Sequence, residues 1–559
     1  MPDRGGHLPA DGRPVPTSTY RLQLSADLTF ADAAAVVPYL AELSVSHLYC
    51  SPYLAAAPGS THGYDVVDHS RLDPELGGEP GHARLVAACR AAGLGLVLDL
   101  VPNHMAVGAP QSRNPAWWSV LRDGPGSPYA RWFDIDWDAP DNPGKVLLPV
   151  LGASLAACVD KGEVRLSGDG ERVTYFDHEA PVAPGTLVPG DVLATLDRQH
   201  YRLCQWRVAG DELDYRRFFD VTTLAGLRVE DPDVFDAMHA LVLSQVREGV
   251  LDGLRVDHPD GLADPEGYLR RLAAATGGVW TVVEKILEPS EWLPGSWPVQ
   301  GTTGYETLNR LTRLFVDPLG EEPLTALYGE LTGEPTDYAE VAADSKTHVL
   351  REVLRPEVER LATLLLGEAR RRRLDLTRRG LRDAVVEVLV AFDVYRAYVA
   401  PGRKPDLSAR STVVRACGRA RARRPRRSAE IDLVEELALT GPPEFVTRFQ
   451  QTCGPVMAKG IEDTALYRYA RFLPLNEVGG SPGSFPREYP KTAVEEFHAA
   501  AATAQRDWPV GMTTLSTHDT KRSEDVRARL AVLSEDPRSW SEAAGRLLAL
   551  GDRHTDRER

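Results

Sequence analysis

The chain has 559 residues, 43% hydrophobic and 26% charged, an ordinary composition for a globular protein and too long for one small domain. Its 64 basic residues face 80 acidic ones, and a net charge of -16 argues against a nucleic-acid partner while suiting a neutral substrate such as a sugar. Nothing approaches the roughly 18 consecutive apolar residues of a membrane helix. The Gly/Pro-rich stretch 1–16 has no signal-peptide core, and Cys50, Cys89, Cys158, Cys204, Cys417 and Cys453 lack metal-ligand spacing. A cytoplasmic protein with free buried thiols and no membrane association is expected. Two Arg-rich stretches, Arg370 to Arg373 and Arg419 to Arg427, read as a solvated helix face and a surface loop.

From residue 17 strands and helices alternate. Thr19 to Leu24 reads as a strand, Phe30 to Leu43 as a helix, Val45 to Cys50 as a strand, and Gly81 to Ala92 as a helix closed by Gly93. Leu94 to Leu100 is a near-continuous apolar run, as in a parallel strand buried on both faces. The rhythm lapses over 105–230, read as a domain inserted on the third βα loop. It resumes with a helix at Pro232 to Glu248, capped by Asp231, then a strand at Gly253 to Val256, a helix at Glu266 to Ala275 and a strand at Val279 to Glu284. This divides the chain into a flexible start at 1–16, barrel at 17–104, the insertion at 105–230, barrel at 231–317, a mainly helical insertion at 318–440, and the barrel end at 441–559. Thr513 to Ser516 is the last strand candidate.

Acidic residues stand at strand C-terminal ends: Asp99, Asp257, Glu284 and Asp519. In a (β/α)8 barrel those ends line one mouth, where the chemistry is done. Residues two apart on a strand face the same side, so Arg255 and Asp257 point together and Leu254 and Val256 pack on the helix layer. An adjacent Arg is expected to keep Asp257 ionised, as a nucleophile requires, while apolar walls around Glu284 raise its pKa toward that of a general acid. Together they are a nucleophile and acid/base pair for retaining glycoside chemistry.

Four segments resemble the signatures of the α-amylase superfamily, in its order: Asp99 to His104, Gly253 to His258, Val283-Glu284, and Ser516 to Asp519. The resemblance implies Asp257 as nucleophile, Glu284 as acid/base and Asp519 as the carboxylate that orients the sugar. It further implies sugar contacts from Tyr64, Asp99, His104, Arg255, His258 and His518. Asn103 matches a calcium ligand of many amylases; without identifiable partner ligands, no metal or other cofactor is expected.

Further segments are similar to the maltooligosyl trehalose synthase family: Ser18 to Leu24, His62 to Asp68, Phe218 to Leu224, Glu284 to Leu287, Gly301 to Tyr305, Met457 to Tyr469, and Thr517 to Asp525. That likeness implies an intramolecular transglucosylation on maltooligosaccharides and α-1,4-glucans; Lys459, Glu462 and Asp463 are candidate contacts to the reducing-end sugar, with an ordinary polar helix start as the alternative reading of these three. It suggests a trehalose-releasing hydrolase as pathway partner. An α-glucan hydrolase, another transglycosylase and an inactive carbohydrate-binding remnant are the alternatives. After Asp519 the residues read as helix, Ser523 to Leu533 and Ser541 to Leu550. The eighth barrel strand and the family's C-terminal β domain are thus expected to be missing.

Overall fold

Six parallel strands in chain order make the central sheet of the computed structural model, which describes residues 9, 12–289, 291–483, 485–487, 492–551 and 554. They are β1 (Thr19–Leu22), β2 (His47–Cys50), β3 (Gly95–Leu100), β4 (Gly253–Val256), β5 (Trp280–Val283) and β6 (Gly301–Thr302). Helices α1 (Phe30–Glu42), α2 (Gly78–Ala92), α3 (Pro232–Arg247), α4 (Pro265–Thr276) and α5 (Tyr305–Leu314) intervene or follow. Parallel strands in sequential order with helices between them are the (β/α)8 TIM-type arrangement.

Local chemistry sets the helix ends. Thr29 and Asp32 form a capping box on α1, Gly93 closes α2 in the left-handed region at φ 74°, and Asp231 and Asp264 cap α3 and α4 ahead of a proline at the first helical position.

Alternation along the strands sorts the side chains. Leu48, Cys50, Leu96, Leu98, Leu100, Leu254, Val256 and Val283 join the core shared with the helices. Tyr49, Val97, Trp280 and Val282 form a separate cluster on the opposite face. Gly253 pairs with Val97 on one side and Trp280 on the other, and a Cβ there would lie 2.8 Å from the Trp280 ring. Only glycine leaves room for that indole.

Between β3 and α3 the strand His104–Ala106 pairs antiparallel with Val221–Gly226, which pairs with Arg217–Phe218, so this stretch leaves and returns at the ends of the central strands. After α5 the chain is helical, and the helices from Tyr338–Glu352 to Pro443–Met457 share a second apolar core. Pro455 lies within the last of these and cannot donate a backbone hydrogen bond; a π-helical stretch, Ala458–Ala465, follows directly.

Thr513 to Ser516, expected as a strand, form no ladder. The chain at and just before the segment instead lies against Gly301, the first residue of β6, and Gly304, just beyond its end. A Cβ on Gly301 would meet Gly511 Cα at 2.8 Å and one on Gly304 would meet Thr513 Cα at 2.7 Å, while Trp280 Nε1 donates to Val510 O at 2.9 Å. Backbone packed on glycine replaces N–H to O=C pairing there.

Candidate active site

The ladder continues one residue past β4 and β5, with Asp257 N–H donating to Leu100 O at 2.8 Å and Glu284 N–H to Val256 O at 2.9 Å. Both carboxylates are therefore fixed at the same rim. Arg255 lies beneath them, 1% exposed, and serves three acids: Nη1 is 2.7 Å from Asp99 Oδ1 and 2.5 Å from Asp257 Oδ1, and Nη2 is 3.3 Å from Glu284 Oε1.

One guanidinium cannot neutralise three buried carboxylates. Burial raises the pKa of Asp257 well above the usual range, the Glu284 charge adds to this, and Arg255 acts against both. Burial likewise raises Glu284, with Arg255 opposing it and the Asp519 charge reinforcing it. Arg255 is thus shared among three acids rather than devoted to Asp257, and Asp257 and Glu284 titrate as a pair. The apolar walls expected around Glu284 are also only part of its setting: its Oε2 accepts the His258 N–H at 2.8 Å. That N–H is aimed by a backbone turn at φ 42°, a left-handed conformation uncommon outside glycine.

Above this floor opens a cavity of about 640 Å³, lined by Tyr64, His104, Asp257, His258, Glu284, Lys459, Glu462, Asp463, His518 and Asp519, among others. Ten of the twelve residues singled out from the sequence thus meet in one cavity. Asp99 and Arg255 lie below it and reach it through their neighbours.

Tyr64 links the two sets. Its hydroxyl donates to Asp99 Oδ2 at 2.5 Å, and Arg21 Nη2 and His518 Nε2 lie 3.2 and 2.7 Å from its oxygen. Because the single phenolic proton goes to Asp99, His518 Nε2 must carry a hydrogen. The His518 ring stacks on Tyr64 at 5.4 Å and its Nε2 lies 3.2 Å from Asp519 Oδ2. Gly63, at φ 80°, lets the chain turn so tightly before Tyr64 that a Cβ would overlap Pro52 O. His104 Nε2 faces the Tyr64 carbonyl at 3.1 Å. Burial lowers His104 and His518 to about 3 and His258 to about 4, so all three are neutral hydrogen-bonding groups near pH 7.

The Asp519 loop is held from below. Glu477, 1% exposed, accepts the backbone N–H groups of Lys521 at 2.8 Å and Arg522 at 3.1 Å. Tyr305, which sequence reasoning left among motif residues without a role, donates to Asp519 Oδ2 at 3.0 Å. Phe218 and Phe219 were similarly present in a motif and not singled out; they pack against His258 at 5.2 and 4.8 Å. Tyr395 carried no sequence signal, since it comes from the helical stretch 318–440.

Lys459, Glu462 and Asp463 lie on the π-helical stretch Ala458–Ala465. The Lys459 ammonium is 2.9 Å from both Asp220 Oδ1 and Asp463 Oδ2, and Lys521 Nζ is 3.7 Å from Asp463 Oδ1. Glu462 accepts the Tyr395 hydroxyl, and burial raises its pKa to about 8.

The calcium position of many amylases does not fit a metal here. The Asn103 amide oxygen accepts Arg216 Nη1 at 2.7 Å, and Arg216 Nε is 3.0 Å from Asp134 Oδ2, so a guanidinium already supplies the positive charge.

Residues 34–268 match the family profile of the alpha-amylase catalytic domain. The chain is 44% identical over 541 residues to a putative maltooligosyl trehalose synthase of Mycobacterium tuberculosis, covering 95% of this chain and 66% of that one. The structure of maltooligosyltrehalose synthase from Arthrobacter ramosus superposes with a TM-score of 0.86 at 44% identity, over 94% of this chain and 66% of that one. A hypothetical maltooligosyl trehalose synthase from Sulfolobus tokodaii aligns at 31% identity and TM-score 0.78, over 96% of this chain and 67% of that one. The chain belongs to the maltooligosyl trehalose synthase family. It spans 66% of the length of the curated relatives it matches.

Proposed function

We propose that the chain carries out the intramolecular transglucosylation of its family: the reducing-end α-1,4 bond of a maltooligosaccharide becomes an α,α-1,1 bond, giving a maltooligosyl trehalose. The observation that carries this is the Asp257–Arg255–Glu284 arrangement beneath a cavity that also holds Asp519. Two acids sharing one guanidinium hold a proton between them. The shorter contact from Arg255, 2.5 Å against 3.3 Å, favours charge on Asp257 and the proton on Glu284.

Glu284 protonates the bridging oxygen as Asp257 attacks the anomeric carbon, and the C–O bond breaks to leave a glycosyl-enzyme and free glucose. The glucose turns in place. Glu284, now a carboxylate, takes the proton of its anomeric hydroxyl, whose oxygen displaces Asp257. Two inversions retain the α configuration. Neutral His104 and His518 each turn their one N–H to Tyr64, at its carbonyl and its hydroxyl oxygen, and so hold in place the ring that offers the sugar a stacking face. Lys459, Glu462, Asp463 and Lys521 are the contacts proposed for the captive glucose. Confinement can supply effective molarities on the order of 10⁵ M or more, which lets glucose outcompete water at ~55 M.

The test is incubation with maltopentaose, following reducing ends and chain length together. Loss of reducing ends at constant mass is the expected result, abolished by Asp257→Asn. Reducing ends rising as shorter sugars appear would identify a hydrolase and refute the assignment. A hydrolase that cleaves trehalose from the end of the product is proposed as the next enzyme, on the family likeness alone.

A further inference from the structure

The Arg-rich sequence around Arg419 to Arg427, expected to be a plain surface loop, does not stand alone. It closes one side of a groove of about 1050 Å³ in the helical stretch, which shares no lining residue with the glucan cavity. The other sides come from the end of helix Tyr338–Glu352, the start of helix Arg355–Arg371 and one face of helix Arg378–Ala391. Eight arginines line the groove against two carboxylates, Asp383 and Glu387, in a protein whose net charge is -16.

The local acids are already engaged. Glu387 pairs with Arg424 at 2.9 Å and Arg423 at 3.5 Å, Asp383 with Arg427 at 3.0 Å, Glu359 with Arg382 at 3.2 Å, and Asp211 with Arg355 at 2.8 Å. Arg351, Arg379 and Arg426 have no carboxylate partner among the described residues. These three come from three different elements and face one concavity whose floor is apolar, with Leu350, Val358 and Val386 buried. All three are exposed, so water and salt screen their mutual repulsion, and a multivalent anion that bridges them gains paired hydrogen bonds, because guanidinium forks match phosphate oxygens.

We infer that this groove binds a small anion bearing a di- or triphosphate group, at a site separate from the glucan cavity. Three unpaired guanidiniums call for a multivalent anion rather than a monovalent one. None of the lining residues is aromatic, so nothing there stacks on a nucleobase and the phosphate groups themselves are what is recognised. The volume suits a small molecule.

The experiment is calorimetric titration of the whole chain with inorganic tripolyphosphate and, separately, with ATP at low ionic strength. Both are expected to bind one per chain with similar affinity. A clear preference for ATP would overturn recognition by phosphate alone. The double variant Arg379→Glu/Arg426→Glu should weaken both by about tenfold or more, through lost charge-assisted hydrogen bonds. Arg370→Glu/Arg373→Glu makes the same change of net charge outside the groove and should leave affinity unaltered. Equal weakening by both double variants would mean that only overall charge matters, and absence of binding at millimolar anion would refute the site outright. Conversion of maltopentaose, measured on each variant, reports that the chain is folded and tests the glucan cavity independently of the groove.

Discussion

Asp134→Asn is the most informative single perturbation of this fold. Burial opposes the charge of Asp134, yet Arg448, Arg216 and Arg360 together hold its pKa well below the usual carboxylate range. Asp134 accepts from both Nη atoms of Arg448, and its Oδ2 lies 3.0 Å from Arg216 Nε. The side chains of Asp134, Arg216 and Arg448 are 12%, 11% and 16% exposed, so water cannot replace the lost carboxylate effectively. Removing one partner from a buried ion cluster costs about 3–5 kcal/mol. Urea unfolding of the variant should show a loss of that order near neutral pH. Adding Arg448→Met removes one of the stranded cations, so the double variant should be destabilised by less than the sum of the singles. The sign with pH is fixed by the depressed pKa: the Asp134 contribution is present above its unfolded value of 3.8 and is lost as pH falls below it, so variant and wild type should converge in acid. A variant within about 1 kcal/mol of wild type at neutral pH would refute the reasoning, because the cluster would then contribute no more than a surface pair.

Four further outcomes are expected. Glu462, raised to about 8 from 4.5 by burial, binds its proton more tightly folded than unfolded, so stability should decline as pH rises between those values; buried Glu288 and Asp214, raised to about 7 and about 6, add to the decline, so Glu462→Gln should make the slope in urea titrations shallower, most clearly between pH 7 and 8, and an unchanged slope would exclude Glu462 as a source. Chemical shifts of His104 and His518 should stay flat from roughly pH 5 to 8, and a titration in that range would contradict their burial as neutral rings. Gly253→Ala forces a methyl to within 2.8 Å of the Trp280 ring and should destabilise by about 1–3 kcal/mol, seen as a lower urea midpoint and altered tryptophan fluorescence. Because Arg216 occupies the Asn103 amide oxygen, EDTA should change neither the melting temperature nor maltopentaose conversion; a loss reversed by calcium would show that a metal site had been missed.

Much of the site was legible in the sequence because strand chemistry is local. The alternation of Leu254, Arg255, Val256 and Asp257 fixes which side chains face the core and which face the mouth, and the end of an apolar strand fixes where Glu284 emerges. The order of the motifs likewise specified a parallel TIM-type sheet. What the sequence could not determine was the sharing of charge. Arg255 meets Asp99 from β3, Asp257 from its own strand and Glu284 from β5, and only the register of three strands sets how one guanidinium is divided among them. Tyr395 reaches Glu462 across 67 positions, and the arginine groove is assembled from four helical elements, so neither leaves a local pattern to read. Thr513 to Ser516 have the composition of a strand, but Thr513 packs on Gly304 and Gly511 just before it on Gly301, and this close backbone packing replaces the ladder. Periodicity and motif therefore decided the elements and the chemical groups they carry, while long-range packing decided the protonation, the pairing and the second charged cavity, because those depend on distances between elements that local sequence does not encode.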